Sequence, residues 1–121
     1  MDTDGMTDNY QNETYLGLLE TLGPKQSLIL IEKLMIDIKN TRRGLQAALS
    51  TKTTDMLNEP SHVLISLAGV VDIVELHGLA KTINEYNGNA FPIETVKTTI
   101  ECLDLWLDFL KSDRAARGLA S

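Results

Sequence analysis

Ile93, Val96, Ile100, Leu103, Leu107 and Leu110 follow one another at alternating steps of three and four. Only an α-helix turns that spacing onto a single side. Leu28, Ile31, Met35, Ile38, Leu45 and Leu49 repeat the rule, with Arg42 in the one polar slot. Two long stripes of this kind must be buried against other helices, so the spacing predicts an all-α fold. Tyr15, Leu18, Leu19 and Leu22 mark a short helix that Gly23-Pro24 closes, and Pro24 opens the long one, which fades at Ser50-Thr51-Lys52-Thr53. The stretch from Val63 to Val74 is apolar enough for a buried strand. Leu57, Leu64, Leu67 and Val71 nevertheless keep helical spacing and no second strand candidate exists, so a helix is predicted from about Thr54 to Val71. Asp72 and Glu75 resemble an acidic capping box that restarts the chain, with Ile73, Leu76, Leu79, Ala80 and Ile83 inward until Asn87-Gly88-Asn89. Pro92 opens the last helix, predicted to end near Ser112. Short connections make an antiparallel up-down four-helix bundle the economical architecture, with an extra short N-terminal helix.

A chain of 121 residues, 43% of them hydrophobic, has one domain's length and enough apolar surface for a core without metal or disulfides. The bundle is expected over residues 10–112, after an acidic disordered leader (1–9) and before a tail (113–121). Seventeen acids against eleven bases give a net charge of -6, which argues against nucleic acid as a partner. Asp2, Asp4, Asp8 and Glu13 account for much of it, and from Thr14 onward the balance is 13 against 11. Cys102 stands alone, so no internal disulfide is expected, and the N-terminus lacks the basic and apolar regions of a secretory signal. No apolar run approaches the ~20 residues of a membrane-spanning helix. These features predict a cytoplasmic protein with no membrane partner.

No glycine-rich phosphate loop, metal-spaced Cys or His cluster, or supported Ser, His and Asp set is present. Glu101, Asp104 and Asp108 share a helix face with Lys97 and Lys111, which reads as a solvated, charge-paired surface. Trp106 and Phe109 read as a second packing edge beside the main stripe. His62 is set apart by the helix wheel. At ~100° per residue, Leu57, Leu64, Leu67 and Val71 fall between about 140° and 220° from it, so His62 is predicted to face solvent. Ile65, Ser66 and Gly69 flank it on the outer face.

The segment Tyr15-Leu-Gly-Leu-Leu-Glu-Thr-Leu-Gly-Pro24, the long helix after it, Asp55-Met56-Leu57 and the run from Ser61 to Gly69 together resemble the histidine-containing phosphotransfer (HPt) domain family. The resemblance covers Tyr15 to about Leu110. It implies a four-helix bundle exposing one histidine that relays a phosphoryl group between the aspartates of response-regulator receiver domains. His62 aligns with that phosphoacceptor. The family's His-x-x-Lys-Gly is partly kept: Ile65 stands at the Lys, Ser66 at the Gly, and Asp72 at a second Gly at the following helix break. An exposed cation beside a phosphate contributes only ~0.2 to 1 kcal/mol, or ~1.5 to 3 with a charge-assisted hydrogen bond, so the Ile65 change slows transfer without forbidding it. Ser66 is a mild obstruction whose hydroxyl can donate to a phosphoryl oxygen. Pro60 is expected to kink or restart the helix just before His62.

Reflecting His62 across the two turns places it level with about residue 41 before it and residue 81 after it. Arg43 and Lys81 are therefore candidate substitute cations, and Asn84 a candidate partner for the imidazole Nδ1. Ile65 and Gly69 are candidate receiver-docking positions. His77, with Lys81 four residues on, is a rival phosphoacceptor. The resemblance implies a phosphocarrier without cofactor or metal of its own, whose partners are receiver domains and a hybrid histidine kinase. The alternatives are a degenerate HPt-like adaptor or inhibitor that binds receivers or a kinase without transfer, and a structural bundle in which His62 is incidental. The sequence leaves the oligomeric state open.

Overall fold

The computed structural model describes residues 10–120, so the leader expected at 1–9 lies outside the described residues. These residues are all-helical: α1 (Glu13–Thr51), a single 3-10 turn (Thr54–Leu57), α2 (Asn58–Val70), α3 (Val74–Asn84) and α4 (Ile93–Ala120). The ambiguous apolar stretch from Val63 is therefore helix and turn. Among the described residues no helix is long and apolar enough to cross a membrane.

Asn12 begins the structure twice over. Its Oδ1 accepts the Tyr15 backbone N–H at 2.8 Å, capping α1, while its Nδ2 donates to the carbonyls of Val71 (2.9 Å) and Asp72 (3.2 Å) at the turn between α2 and α3. One side chain thus satisfies orphan groups at two helix ends. Further along, α1 bends at Gly23, whose φ of 83° and ψ of 169° leave the helical region just before Pro24. That bend separates the short N-terminal helix from the long one. The buried Ser27 hydroxyl spans it by donating to the Leu19 carbonyl at 2.9 Å.

Beyond the bend the buried face of α1 carries Ile31, Leu34, Met35, Ile38, Thr41, Leu45 and Ala48. This is wider than the predicted stripe, because α1 packs on both α2 and α4. Leu28 and Leu49 are only half-buried at its edge, and Leu22 is exposed. Arg42 leaves the core altogether and forms a two-pronged pair with Asp104 of α4, Nε to Oδ1 at 2.6 Å and Nη2 to Oδ2 at 3.3 Å. The charged face of α4 is thus tied to α1 through Asp104 and not only solvated along its own helix. The stripe of α4 is buried from Val96 to Leu110, Trp106 is fully enclosed, and Phe109 lies against the rings of Tyr10 and Tyr15, the packing edge expected of these two residues.

Two predicted boundaries move. The last helix does not stop near Ser112 but runs to Ala120, because Asp113 accepts the Tyr15 hydroxyl at 2.6 Å and Arg117 at 2.8 Å, while Arg114 reaches Glu32 at 3.3 Å. Asp72 is not an N-cap. It has φ 53° and follows α2 as a left-handed residue, with its N–H bonded to Gly69 and that of Ile73 to Ala68, a Schellman closure normally built with glycine. Lys52 closes α1 the same way.

A non-glycine residue in the left-handed region costs ~1 to 2 kcal/mol, against ~0.5 to 1 for the extra chain entropy of glycine. Asp72→Gly should therefore stabilise the fold by about 0.5 to 1 kcal/mol in urea denaturation, whereas Asp72→Val should destabilise it. Alkali provides a second check. Burial, helped by the nearby Cys102 and Glu75, pushes the Tyr10 phenol up from 10.0 to about 12, and burial together with Asp113 pushes Tyr15 up further. A folded-state pKa above the unfolded value is stability fully present below pH 10.0 and lost as the pH rises toward 12. Denaturation curves across that window should show Tyr10→Phe losing less stability with rising pH than the parent chain.

Candidate functional site

The site is built by the first two turns of α2. Pro60 is the third residue of the helix, where its missing N–H has no partner to lose, so the kink expected from it becomes the restart of an α-helix after the 3-10 turn. Its ring rests on α1 at Gly44, where an added Cβ would lie 3.2 Å from Pro60 Cβ. A side chain there would press on the Pro60 ring, so Gly44 lets the two helices approach closely. Ser61 is fully buried, its hydroxyl donating to the Leu57 carbonyl at 2.7 Å and accepting from the Asn84 amide of α3 at 3.1 Å. Leu57, Leu64, Ala68 and Val71 complete the buried side.

His62 projects from the opposite side and is exposed, as the wheel predicts. Ser66 and Gly69 share its outer face and are exposed, whereas Ile65 is half-buried toward α3. A Cβ on Gly69 would lie 3.7 Å from His77 Cδ2, so the half-buried His77 ring sits beside the bare backbone there, two turns along α2 from His62. Both histidines thus border one surface.

The candidate cations divide. Arg43 is exposed, donates to Asn40 Oδ1 at 3.1 Å, and lines a groove between α1 and α2 with Glu59, Pro60 and Val63. Asp37 and Asp55 line that groove as well, so its carboxylates outnumber its cation. Lys81 is exposed on α3. Ser61 stands opposite Asn84 and Gly69 opposite His77, which makes Lys81 level with Ile65, one turn from His62. The reflection that set residue 81 beside His62 pivoted about one residue too early, because the left-handed Asp72 carries the turn on to Ile73. Asn84 comes nearest the expected place, but its amide is engaged by Ser61 and, at 3.5 Å, by the Asn58 carbonyl. It braces the helix beneath His62.

Ser61 and Gly44 are the positioning residues that sequence reasoning missed. Part of their signal was present: Ser61, at about 260° from His62, lies at the edge of the inward half of the wheel, and the reflection that selected Arg43 sets Pro60 level with about residue 43, next to Gly44. Cys102, the other nucleophile type in the chain, is half-buried, and burial beside Glu75 pushes its thiol up. Among the described residues, no group of three His, Cys, Asp or Glu could hold a metal ion. No protein-family model, curated protein or solved structure matches the chain.

Proposed function

We propose that this chain is a histidine phosphotransfer protein, relaying a phosphoryl group between receiver-domain aspartates in a cytoplasmic phosphorelay. The observation that carries the reading is the exposure of His62 on a helix whose adjoining Ser61 and Leu64 are fully buried. It presents a nucleophile outward on a backbone that cannot rotate it away. The opposed pairs Ser61 with Asn84, Gly69 with His77, and Arg42 with Asp104 support the antiparallel up-down bundle that the family resemblance implies.

In this reading a lone pair on one imidazole nitrogen attacks the phosphorus of a receiver aspartyl phosphate. The N–P bond forms as the P–O bond to the aspartate breaks, the carboxylate leaves, and the other ring nitrogen keeps its proton. Reversal onto a second receiver aspartate returns the free imidazole. Imidazole suits both directions, being nucleophilic near neutral pH and a good leaving group when protonated. Mg2+ would belong to the receiver. In this reading Ser66 and Lys81, with Arg43 at the groove side, would meet phosphoryl oxygens, and Ile65 and Gly69 would provide receiver contact.

The groove carboxylates Asp37, Asp55 and Glu59, with Ile65 where the family carries a cation, favour a second reading in which the protein docks receivers or a kinase without accepting phosphate. Incubation with phosphorylated receivers tests the first. The parent chain should acquire an acid-labile, alkali-stable label. His62→Gln should abolish it with stability changed by less than about 0.5 kcal/mol, because the side chain is exposed, and His77→Gln should retain it. A label that survives His62→Gln contradicts the assignment. Ile65→Lys separates the two readings. A carrier weakened by the missing charge should gain labelling or phosphohistidine lifetime by up to roughly tenfold, the equivalent of ~1.4 kcal/mol. An adaptor should instead bind receivers less tightly and stay unlabelled.

A further inference from the structure

Met56 and Val63 are large apolar side chains left 42% and 39% exposed, and both line the groove between α1 and α2. Between them in the chain, the Pro60 ring lies over Gly44, so the floor of the groove is apolar. Its rim is charged. Asp37 borders it from α1, Asp55 from the 3-10 turn and Glu59 from α2, against one guanidinium, Arg43. Asp37 accepts Lys33 at 3.3 Å, and Arg43 donates to Asn40 at 3.1 Å. Asp55 and Glu59 are exposed and form no ion pair among the described residues. Helix polarity favours an acid in a first turn, which accounts for the sign of these two charges. It does not account for the apolar side chains held open beside them.

We propose that this groove is a docking site for a basic amphipathic helix of a partner protein. Charge complementarity sets the sign of the partner: the unpaired carboxylates on the rim attract Lys or Arg, while Met56, Pro60 and Val63 receive an apolar stripe between them. The same carboxylates disfavour an acidic protein or an anionic lipid surface. The walls set the partner's conformation. Both are helical, with backbone groups bonded within their own turns, so an extended segment would find no strand edge to pair with. A helix satisfies its own backbone and can lay apolar side chains on the floor with cations toward the rim. From Asp37 to Ala47 the α1 wall is about 15 Å long, enough to seat roughly three turns of such a helix. The proposal holds whether or not His62 accepts phosphate, because Glu59, Pro60 and Val63 lie about 60° to 160° round α2 from it.

Its test therefore uses neither receiver nor phosphate. The probe is a fluorescently labelled peptide of about 14 residues, leucine along one face and lysine along the other, long enough to form a helix on the groove. Titrated with the full chain at low salt, it should bind with a Kd on the order of ten micromolar and weaken as salt is added. Asp55→Asn with Glu59→Gln should weaken binding about fivefold. Asp2→Asn with Asp4→Asn changes the net charge equally and should leave binding unchanged. Val63→Ser, at an exposed position, should also weaken binding about fivefold with unchanged helical circular dichroism. A peptide with alanine in place of leucine stays helical and should bind the parent chain at least tenfold less tightly. Equal losses in the two charge variants would mean bulk attraction to an acidic chain and would overturn the proposal. So would an alanine peptide bound as tightly as the leucine one, or a parent chain that leaves the leucine peptide free into the hundreds of micromolar.

Discussion

The burial of one narrow side of α2 governs the rest of the molecule. Ser61, Leu64 and Ala68 have no exposed surface at all, and Leu57 and Val71 have almost none. Two of these five are small, so the helix lies close to its neighbours and has little freedom to turn about its axis. A rotation by a single residue would push Ile65 inward and expose Leu64, at ~1.5 to 3 kcal/mol for the lost burial of one large side chain alone. The outward direction of His62 is fixed by what lies behind it.

Polar groups sharpen that constraint at both ends. At the N-terminal end Ser61 bridges Leu57 and Asn84, linking α2 to α3 inside a region where an unpaired hydroxyl would be costly. At the C-terminal end the left-handed Asp72 reverses the chain, and Asn12 ties its carbonyl and that of Val71 to the start of α1. The first turn of the first helix thereby holds the turn that sets the register between α2 and α3. That register decides that Lys81 falls beside Ile65 and His77 beside Gly69.

Helical periodicity made much of this legible in the sequence. The direction of His62 followed from four apolar residues and the pitch of a helix, and the stripe of α4 was read almost residue for residue. What escaped was whatever depended on a partner far along the chain. Leu34, Thr41 and Ala48 join the buried face of α1 because two helices, not one, pack on it. Residues 113–120 extend α4 because Tyr15 and Glu32, some eighty to a hundred positions earlier, meet Asp113 and Arg114. The Asp72 conformation could not be read from its own chemistry, since Asp followed three residues later by Glu fits a helix start as well as a helix end. The facing of residues on the helix of His62 was accordingly legible, and the level of those on neighbouring helices only to within a turn.

The proposed function rests on a single atom, one nitrogen of His62. The most direct measurement is to locate the phosphoryl group itself, by digesting the protein under alkaline conditions after reaction with a phosphorylated receiver and sequencing the phosphopeptides by mass spectrometry. The account predicts one phosphoramidate, on His62, within the peptide that spans α2. Phosphate found on His77, or receiver binding with no phosphopeptide at all, would contradict it.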